Sequence, residues 1–331
     1  MEAAPMIELW RGGRRESAHL GHAVICDAGG AIVEAWGDPQ ALIYPRSSCK
    51  MLQALPLVES GAADAAGLEP RRLALACASH SGAAIHTDTV RDWLDAIGLA
   101  EPDLRCGSHM PQDKPAMKGL MCSDTSPCQI HNNCSGKHAG FLTLTKHLGA
   151  GPEYVDPAHP VQQAVREAFE EVTGETSPGY GIDGCSAPNF ATSVTGLGRA
   201  MAYFAGAGAD GKAGARAAAA VRLRDAMRAH PEMVAGEGRA CTELMRAMDG
   251  RVTIKTGAEA VFVAILPEQR LGVALKIVDG GTRAAEAAVT ALLIRLGVLD
   301  AAHPAALKRL GPERNWRGFE TGELRRAPGF A

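Results

Sequence analysis

The sequence predicts a mixed α/β (α+β) fold in which an antiparallel sheet is assembled from both ends of the chain around a large helical insertion. Three observations carry this: apolar segments bounded by turn residues open the chain, the same pattern returns after residue 250, and the long stretch between them carries helical punctuation. The expected division is 1-45 together with 250-331 as a sheet domain with terminal helices, and 46-249 as a mainly helical region.

Met6 to Trp10, Gly21 to Cys26 and Ala31 to Trp36 read as strands, the last two separated by the turn signal Asp27-Ala28-Gly29-Gly30. From Arg46 the pattern becomes helical, with Ser47 and Ser48 as candidate N-caps. Further helices are expected over Leu73 to Ala78, Val90 to Ile97 (opened by Thr87), Val161 to Val172 (with Pro160 in the first turn), Phe190 to Phe204, Ala215 to Arg228 and Cys241 to Met248. The Gly- and Ala-rich piece from Ala205 to Ala219 is expected to begin as a surface loop. Strands return at Arg251 to Lys255, Ala260 to Leu266 and Leu271 to Val278, before a final helix over Thr282 to Leu296.

The 331 residues are 46% hydrophobic, enough for a substantial core and for about two domains of ~150 residues. A net charge of -3 and 5% aromatics supply neither the basic field nor the stacking surface that nucleic-acid binding needs. No apolar leader lies between Met1 and Arg15, and the apolar run Ala260 to Leu266 is far short of the ~18 residues of a membrane span. Nine cysteines without a C-x-x-C pair argue against a disulfide framework, so the expected compartment is the reducing cytoplasm.

Several familiar signatures fail. Gly196-Leu197-Gly198 has Met201 where a dinucleotide fingerprint needs a small residue, and lies in a helical pattern, which points to packing. His19 and His22 sit three apart in a strand pattern, where side chains point to opposite faces. There is no phosphate loop, no H-E-x-x-H and no G-x-S-x-G.

Ser47-Ser48-Cys49-Lys50 contains S-x-x-K at a loop-to-helix junction, so Ser47 and Lys50 share a helical face at ~5–6 Å between Cβ atoms. A serine hydroxyl is a weak nucleophile until a neighbouring base takes its proton, and Lys50 is placed to do so. The competing reading is an N-cap serine and a solvated lysine. Lys255-Thr256-Gly257 lies on a late strand, where serine enzymes with S-x-x-K carry K-T-G. Bringing a lysine base from ~10.4 toward ~7–8 costs about 4 kcal/mol, which burial and a second ammonium such as Lys255 supply. Between these motifs, Cys77-Ala78-Ser79-His80-Ser81-Gly82 offers a second serine at the end of an apolar helix, as a proton relay or an ordinary C-cap. Its Ser79-His80-Ser81 stands where penicillin-recognising enzymes have S-x-N, which argues against a β-lactam substrate.

Two polar, Gly-flanked cysteine loops are the most distinctive segments: His131-Asn132-Asn133-Cys134-Ser135-Gly136-Lys137-His138-Ala139-Gly140 and Gly181-Ile182-Asp183-Gly184-Cys185-Ser186-Ala187-Pro188. Cys134 and Cys185 as thiolates suit zinc, and spacing alone selects His138 as the third ligand, since Lys137 binds metal only as the free amine. Buried free thiols are the alternative. Cys122, Cys128 and Cys134 are spaced by six, a regularity with no assigned role.

Together these segments, with Arg11-Gly12, Glu16-Ser17, His19, Arg46 and Lys255 to Glu259, resemble the rhizobial-type (class 3) L-asparaginases, or asparaginase II family, distant relatives of serine β-lactamases and penicillin-binding proteins. The resemblance implies a β-lactamase/penicillin-binding-protein-like fold and hydrolysis of L-asparagine to L-aspartate and ammonia. It implies Ser47 as nucleophile, Lys50 as its base, and Ser79 with Lys255 as a second serine-lysine pair. It also implies zinc on Cys134, Lys137 and Cys185, in place of the spacing-based His138, with Arg46, His80, His138 and Asp183 lining the substrate site. A homodimer is implied by the same analogy. Two departures stand out: Cys49 inside S-x-x-K, and Ala260 where the family pattern leads us to expect glycine. The alternatives are a β-lactamase-like serine hydrolase acting on another amide, and a non-catalytic zinc- or amino-acid-binding protein.

Overall fold

The computed structural model describes residues 2–208 and 214–331. β1 (Ala4–Arg11) and β2 (Arg14–Asp27) form an antiparallel hairpin across Gly12 and Gly13, whose φ of 54° and 76° suit the tight turn. β3 (Ile32–Trp36) pairs with β2 beyond the 27–30 turn. The remaining strands are β4 (Leu42–Ile43), β5 (Tyr180–Ile182), β6 (Pro188–Phe190), β7 (Thr192–Ser193), β8 (Thr253–Gly257), β9 (Val261–Leu266), β10 (Leu271–Ile277), β11 (Pro312–Arg314) and β12 (Glu320–Arg326). An eight-stranded antiparallel sheet runs β11-β12-β1-β2-β10-β9-β8, with β3 also on β2, so both ends of the chain do build one sheet. β4 pairs with β7 and β5 with β6.

Two compact units result: Met1–Ser48, Thr192–Gly206 and Glu243–Ala331 form the first, Cys49–Ala191 and Ala207–Thr242 the second. The sequence-based division placed residues 192–206 in the helical region; the structure groups them with the sheet. The cause is close packing of helix Val194–Gly206 on β2 and β10. A Cβ on Gly198 would lie 2.6 Å from Val24 Cγ2, and one on Gly272 would lie 2.1 Å from the Ala202 nitrogen, so glycine is required at both. Gly198 thus packs a helix, as its failed dinucleotide pattern suggests. His19 and His22 also diverge: His19 Nδ1 meets Asp279 Oδ2 at 2.6 Å, whereas His22 Nδ1 accepts the Asp38 N–H at 2.8 Å.

Element boundaries depart from expectation in understandable ways. β2 begins seven residues before the expected Gly21, because its first half is polar and exposed and shows no apolar alternation. β12, which pairs with β1, is unheralded for the same reason: Leu324 is its only buried residue. The helix expected from Phe190 is preceded by β6 and β7 and begins at Val194. Residues 209–213 of the expected 205–219 loop lie outside the described residues; helix Ala215–Ala229 covers its end.

In the second unit, Pro160 opens helix Pro160–Thr173 under an N-capping His159, and Gly174 at φ 68° closes it. Helix Ser135–Leu148 is buried from Ser135 through Thr145. Gly136 and Gly140 make that depth possible: a Cβ at Gly136 would stand 2.4 Å from Leu75 O, and one at Gly140 3.2 Å from Leu57 Cδ2. The two glycines, four apart, form the face that meets helix Pro70–Ala76 and its neighbour Leu55–Glu59.

The end of β8 is governed by two backbone constraints of opposite sense. At Gly257 a Cβ would lie 2.5 Å from Pro45 O and 3.0 Å from Ser48 N, so the K-T-G glycine is the space into which the 45–48 turn fits. Ala260, in contrast, carries a side chain at φ 58°, next to Glu259 at φ 56°. An L residue there is strained by roughly 1–2 kcal/mol, partly recovered because glycine costs ~0.5–1 kcal/mol more backbone entropy. Gly257→Ala is therefore expected to destabilise the protein by about 1–3 kcal/mol through overpacking. Ala260→Gly is expected to stabilise it by about 0.5–1 kcal/mol. Thermal unfolding midpoints check both; equal shifts, or a lowered midpoint in Ala260→Gly, would contradict the backbone account.

Candidate functional site

In the sheet unit, Ser47 lies in the 3-10 turn Arg46–Cys49, entered through Arg46 at φ 53°. The turn distinguishes the adjacent serines. Ser48 is completely buried and its hydroxyl donates to Pro45 O at 2.7 Å, whereas Ser47 is partly exposed. Lys255, on the edge strand β8, is 1% exposed, and its Nζ donates to Thr256 O at 2.8 Å. Through Gly257, two residues on, the Ser47 turn and the Lys255 strand are immediate neighbours.

The helical unit gathers most of the other candidates. Lys50 opens helix Lys50–Gln53 and is buried. Its Nζ donates to Ala78 O, and lies 3.1 Å from Cys134 Sγ and 3.5 Å from Asn133 O, enough acceptors for all three protons of an ammonium. Ala78 immediately precedes Ser79, itself buried, whose N–H donates to Val234 O at 3.0 Å. Lys50 and the Ser79 segment are thus directly linked.

Cys134 immediately precedes helix Ser135–Leu148, and Asn132 Oδ1 accepts its N–H at 2.8 Å. Lys137, one turn into the helix and buried, points its Nζ to Cys185 Sγ at 3.1 Å. Cys185 comes from the loop between β5 and β6, closed by Asp183 N donating to Ala187 O at 3.0 Å and by Ser186 at φ 70°. Asp183 Oδ1 accepts the Gly184 N–H at 2.6 Å. The loop and the helix thereby bring Cys134, Lys137 and Cys185 together.

Electrostatics divides the two cysteines. A hydrogen bond from the Cys134 thiol, aided by Lys137 and opposed by burial, holds the Cys185 thiol well below its ordinary pKa. The same hydrogen bond, with burial, raises Cys134. Burial alone would lower the Lys137 pKa, but the Cys185 and Cys134 sulfurs outweigh it and keep the amine protonated. Cys49, fully enclosed, is pushed up to about 12 by burial. In this setting it is an inert core thiol.

Among the described residues, no group of three His, Cys, Asp or Glu side chains is arranged to hold a metal ion. His138, the spacing-based candidate for a third ligand, acts electrostatically on Cys185 and helps to hold that thiol's pKa down. His138 is fully buried, its Nδ1 2.9 Å from Tyr154 Oη, while Nε2 has no hydrogen-bond partner of ordinary geometry. Lys137 is the further donor beside the two sulfurs, and two thiolates with one amine suit zinc once the ammonium proton has left. The donor set fits the metal in its chemistry.

His80 is also fully buried. Its Nδ1 accepts the Gly82 N–H at 3.2 Å, so the Nε2 proton donates to Ser135 Oγ at 2.9 Å, and that hydroxyl donates to Ile130 O at 2.8 Å. Burial, then the stacked His86 ring with centroids 4.9 Å apart, lowers its pKa and keeps it neutral. Residues that sequence reasoning passed over hold this assembly. Asn133 O accepts both His80 N–H and Lys50, and the Asn132 amide donates to Cys106 O at 2.8 Å and Gly107 O at 3.0 Å. The sequence carried little signal for this, because the N-cap of the following helix is Cys134 without a side-chain cap bond and Asn133 acts through its backbone carbonyl. Asn132→Ala strips three hydrogen bonds, two of them buried, and is expected to cost about 2–3 kcal/mol, read as a lowered thermal midpoint. An unchanged midpoint would contradict Asn132's role as the clamp of this loop.

The L-asparaginase II family model matches residues 7–326. No curated protein sequence matches the chain. Among solved structures, Mglu in its glutamate form is similar at 15% identity, covering 84% of this chain and 61% of that chain with a TM-score of 0.50. A β-lactamase from Mycobacterium bovis is similar at 12% identity, covering 84% of this chain and 95% of that one with a TM-score of 0.47. The structural likeness concerns the fold; the family follows from the match that runs from β1 to the end of β12. The chain belongs to the L-asparaginase II family, amidohydrolases of the asparaginase type.

Proposed function

We propose that the protein hydrolyses L-asparagine to L-aspartate and ammonia through a β-aspartyl ester on Ser47. The observation that carries this reading is the turn at 45–48: Ser48 spends its hydroxyl on Pro45 O, leaving Ser47 as the partly exposed serine, beside the K-T-G strand. Lys50, three residues on, is the proposed base, and Ser79 with Lys255 the second serine-lysine pair. Lys50 holds Ala78 O, which ties it to the segment bearing Ser79.

In this mechanism the Ser47 oxygen attacks the side-chain amide carbon as Lys50 takes its proton, and the C–N bond breaks as ammonia leaves with a proton. Water then cleaves the ester and restores the serine. Ala78 O, Asn133 O and Cys134 Sγ hold the Lys50 amine in place. Arg46, His80, His138 and Asp183 are the proposed substrate-site residues. Arg46 and Asp183 are partly exposed and suited to the substrate's charged groups, while His80 and His138 are buried and suited to holding the loops.

Cys134, Lys137 and Cys185 would hold zinc, which supplies a Lewis acid able to polarise an oxygen or to order the substrate's α-groups. The implied homodimer and the reducing cytoplasm complete the reading; all nine cysteines are unbridged in the structure, seven of them buried.

The test is ammonia release from L-asparagine by wild type and variants, with zinc measured on the same samples. Ser47→Ala is expected to lose roughly 10³-fold or more in kcat while retaining zinc, with Lys50→Met and Ser79→Ala comparably severe because the members act as a unit. Cys185→Ser is expected to lose zinc. Near wild-type turnover in Ser47→Ala would overturn the serine mechanism. Tight asparagine binding by zinc-loaded wild type without ammonia release would favour the binding-protein alternative, and covalent labelling by a fluorescent penicillin the β-lactamase-like one.

A further inference from the structure

His138 and Tyr154 are both completely buried, with ring centroids 5.5 Å apart, and meet through His138 Nδ1 and Tyr154 Oη at 2.9 Å. Which of the two atoms carries the proton follows from the rest of the tyrosine's surroundings. Tyr154 Oη already accepts the Arg105 N–H at 2.7 Å, so its own O–H has His138 Nδ1 as its acceptor. The opposite assignment would leave a buried phenolic proton without an acceptor among the described residues, at a cost of about 1–3 kcal/mol. Nδ1 is therefore the bare nitrogen, and Nε2 carries the ring proton. Tyr154 is itself anchored: Gln162 Nε2 donates to Tyr154 O at 2.7 Å, and the Arg105 guanidinium holds the neighbouring Glu153 at 3.0 Å. His138 Nε2 is buried without a partner of ordinary geometry, and its ring acts on Cys185, a thiol held low first by the Cys134 hydrogen bond and lowered further by His138.

We propose that Tyr154 is a positioning residue whose hydroxyl fixes His138 as the Nε2–H tautomer, so that the ring serves the cysteine cluster as a hydrogen-bond donor to Cys185 and not as a metal ligand. A histidine that binds metal through Nε2 must present a lone pair there, and its Nδ1–H is ordinarily taken by an acceptor such as a carboxylate or a backbone carbonyl. Tyr154 has the reverse polarity: its oxygen is occupied by the Arg105 N–H, and it offers Nδ1 a proton. In the ligand tautomer an Nδ1–H would need Oη as its acceptor, and the displaced phenolic proton would go unpaired. Lys137, whose Nζ lies 3.1 Å from Cys185 Sγ, is left as the third donor. This consequence for the metal rests on the reading of Cys134, Lys137 and Cys185 given above; the tautomer itself does not.

The test is nitrogen–proton correlation NMR of the metal-free full chain carrying isotope-labelled histidine, with the His138 signals assigned through His138→Gln. Wild type is expected to show His138 protonated at Nε2 and bare at Nδ1; a proton on Nδ1 would overturn the proposal. Tyr154→Phe is expected to populate the Nδ1–H form, a change that a merely space-filling tyrosine would not produce, and an unaltered Nε2–H signal in that variant would overturn Tyr154's role. Zinc affinity, read by competition with a chelator, tests the consequence for the metal. Lys137→Met is expected to bind zinc at least about tenfold more weakly than wild type, and the double variant Tyr154→Phe, Lys137→Met to recover part of that loss through the freed His138 Nε2. No recovery with the Nδ1–H form populated would overturn the exclusion of His138 from the metal. Wild type that binds no zinc would instead remove the metal reading and leave the tautomer result standing. If Tyr154→Phe loses its circular dichroism signal, the wild-type tautomer decides alone.

Discussion

The helical unit is organised around two buried lysines. Removing an ammonium from water costs several kcal/mol even after the protein relaxes, and that cost must be met by acceptors placed before the lysine arrives. Lys50 meets Ala78 O, Asn133 O and Cys134 Sγ; Lys137 meets Cys185 Sγ. The backbone acceptors come from places where regular structure stops. Ala78 lies just beyond helix Pro70–Ala76 and Asn133 just before helix Ser135–Leu148, so their carbonyls are unclaimed by a helical ladder. The sulfurs complete the set, and the hydrogen bond between them divides their protonation. Gly136 and Gly140 admit the helix to the depth at which Lys137 reaches Cys185.

The sheet unit places its chemical groups by backbone fit instead of charge. Gly257 leaves room for the 45–48 turn, and the turn in turn commits Ser48 to a carbonyl and leaves Ser47 partly exposed. Gly198 and Gly272 do comparable work at the helix-sheet contact. Ala260 is the exception, a side chain retained where the backbone favours none. Such strain in the turn between β8 and β9 is supported by the pairing of β8, β9 and β10 beyond it.

Legibility in the sequence followed the physical signal available at each point. The sheet from both termini, the Pro160 helix and the paired cysteine loops were readable, because apolar alternation, capping chemistry and glycine-flanked thiols are local patterns. β12 and the first half of β2 were not, since they are polar strands held by ladder hydrogen bonds that leave no apolar trace. S-x-x-K spacing singled out Ser47, but the bond that commits the Ser48 hydroxyl to Pro45 O was not legible, since it depends on where a carbonyl three residues earlier ends up. Spacing favoured His138 beside the two cysteines, and both it and Lys137 act on Cys185, Lys137 with its Nζ 3.1 Å from the sulfur and His138 with its Nδ1 held by Tyr154.

The central claim, that this amidohydrolase works through an ester on Ser47, is tested most directly by rapid-quench peptide mapping of the wild-type protein during turnover of L-asparagine. The account predicts a transient aspartyl adduct confined to the peptide that contains Ser47 and localised to that side chain by fragmentation. An adduct on another residue, or full turnover with no acyl-enzyme on any peptide at any quench time, would contradict it.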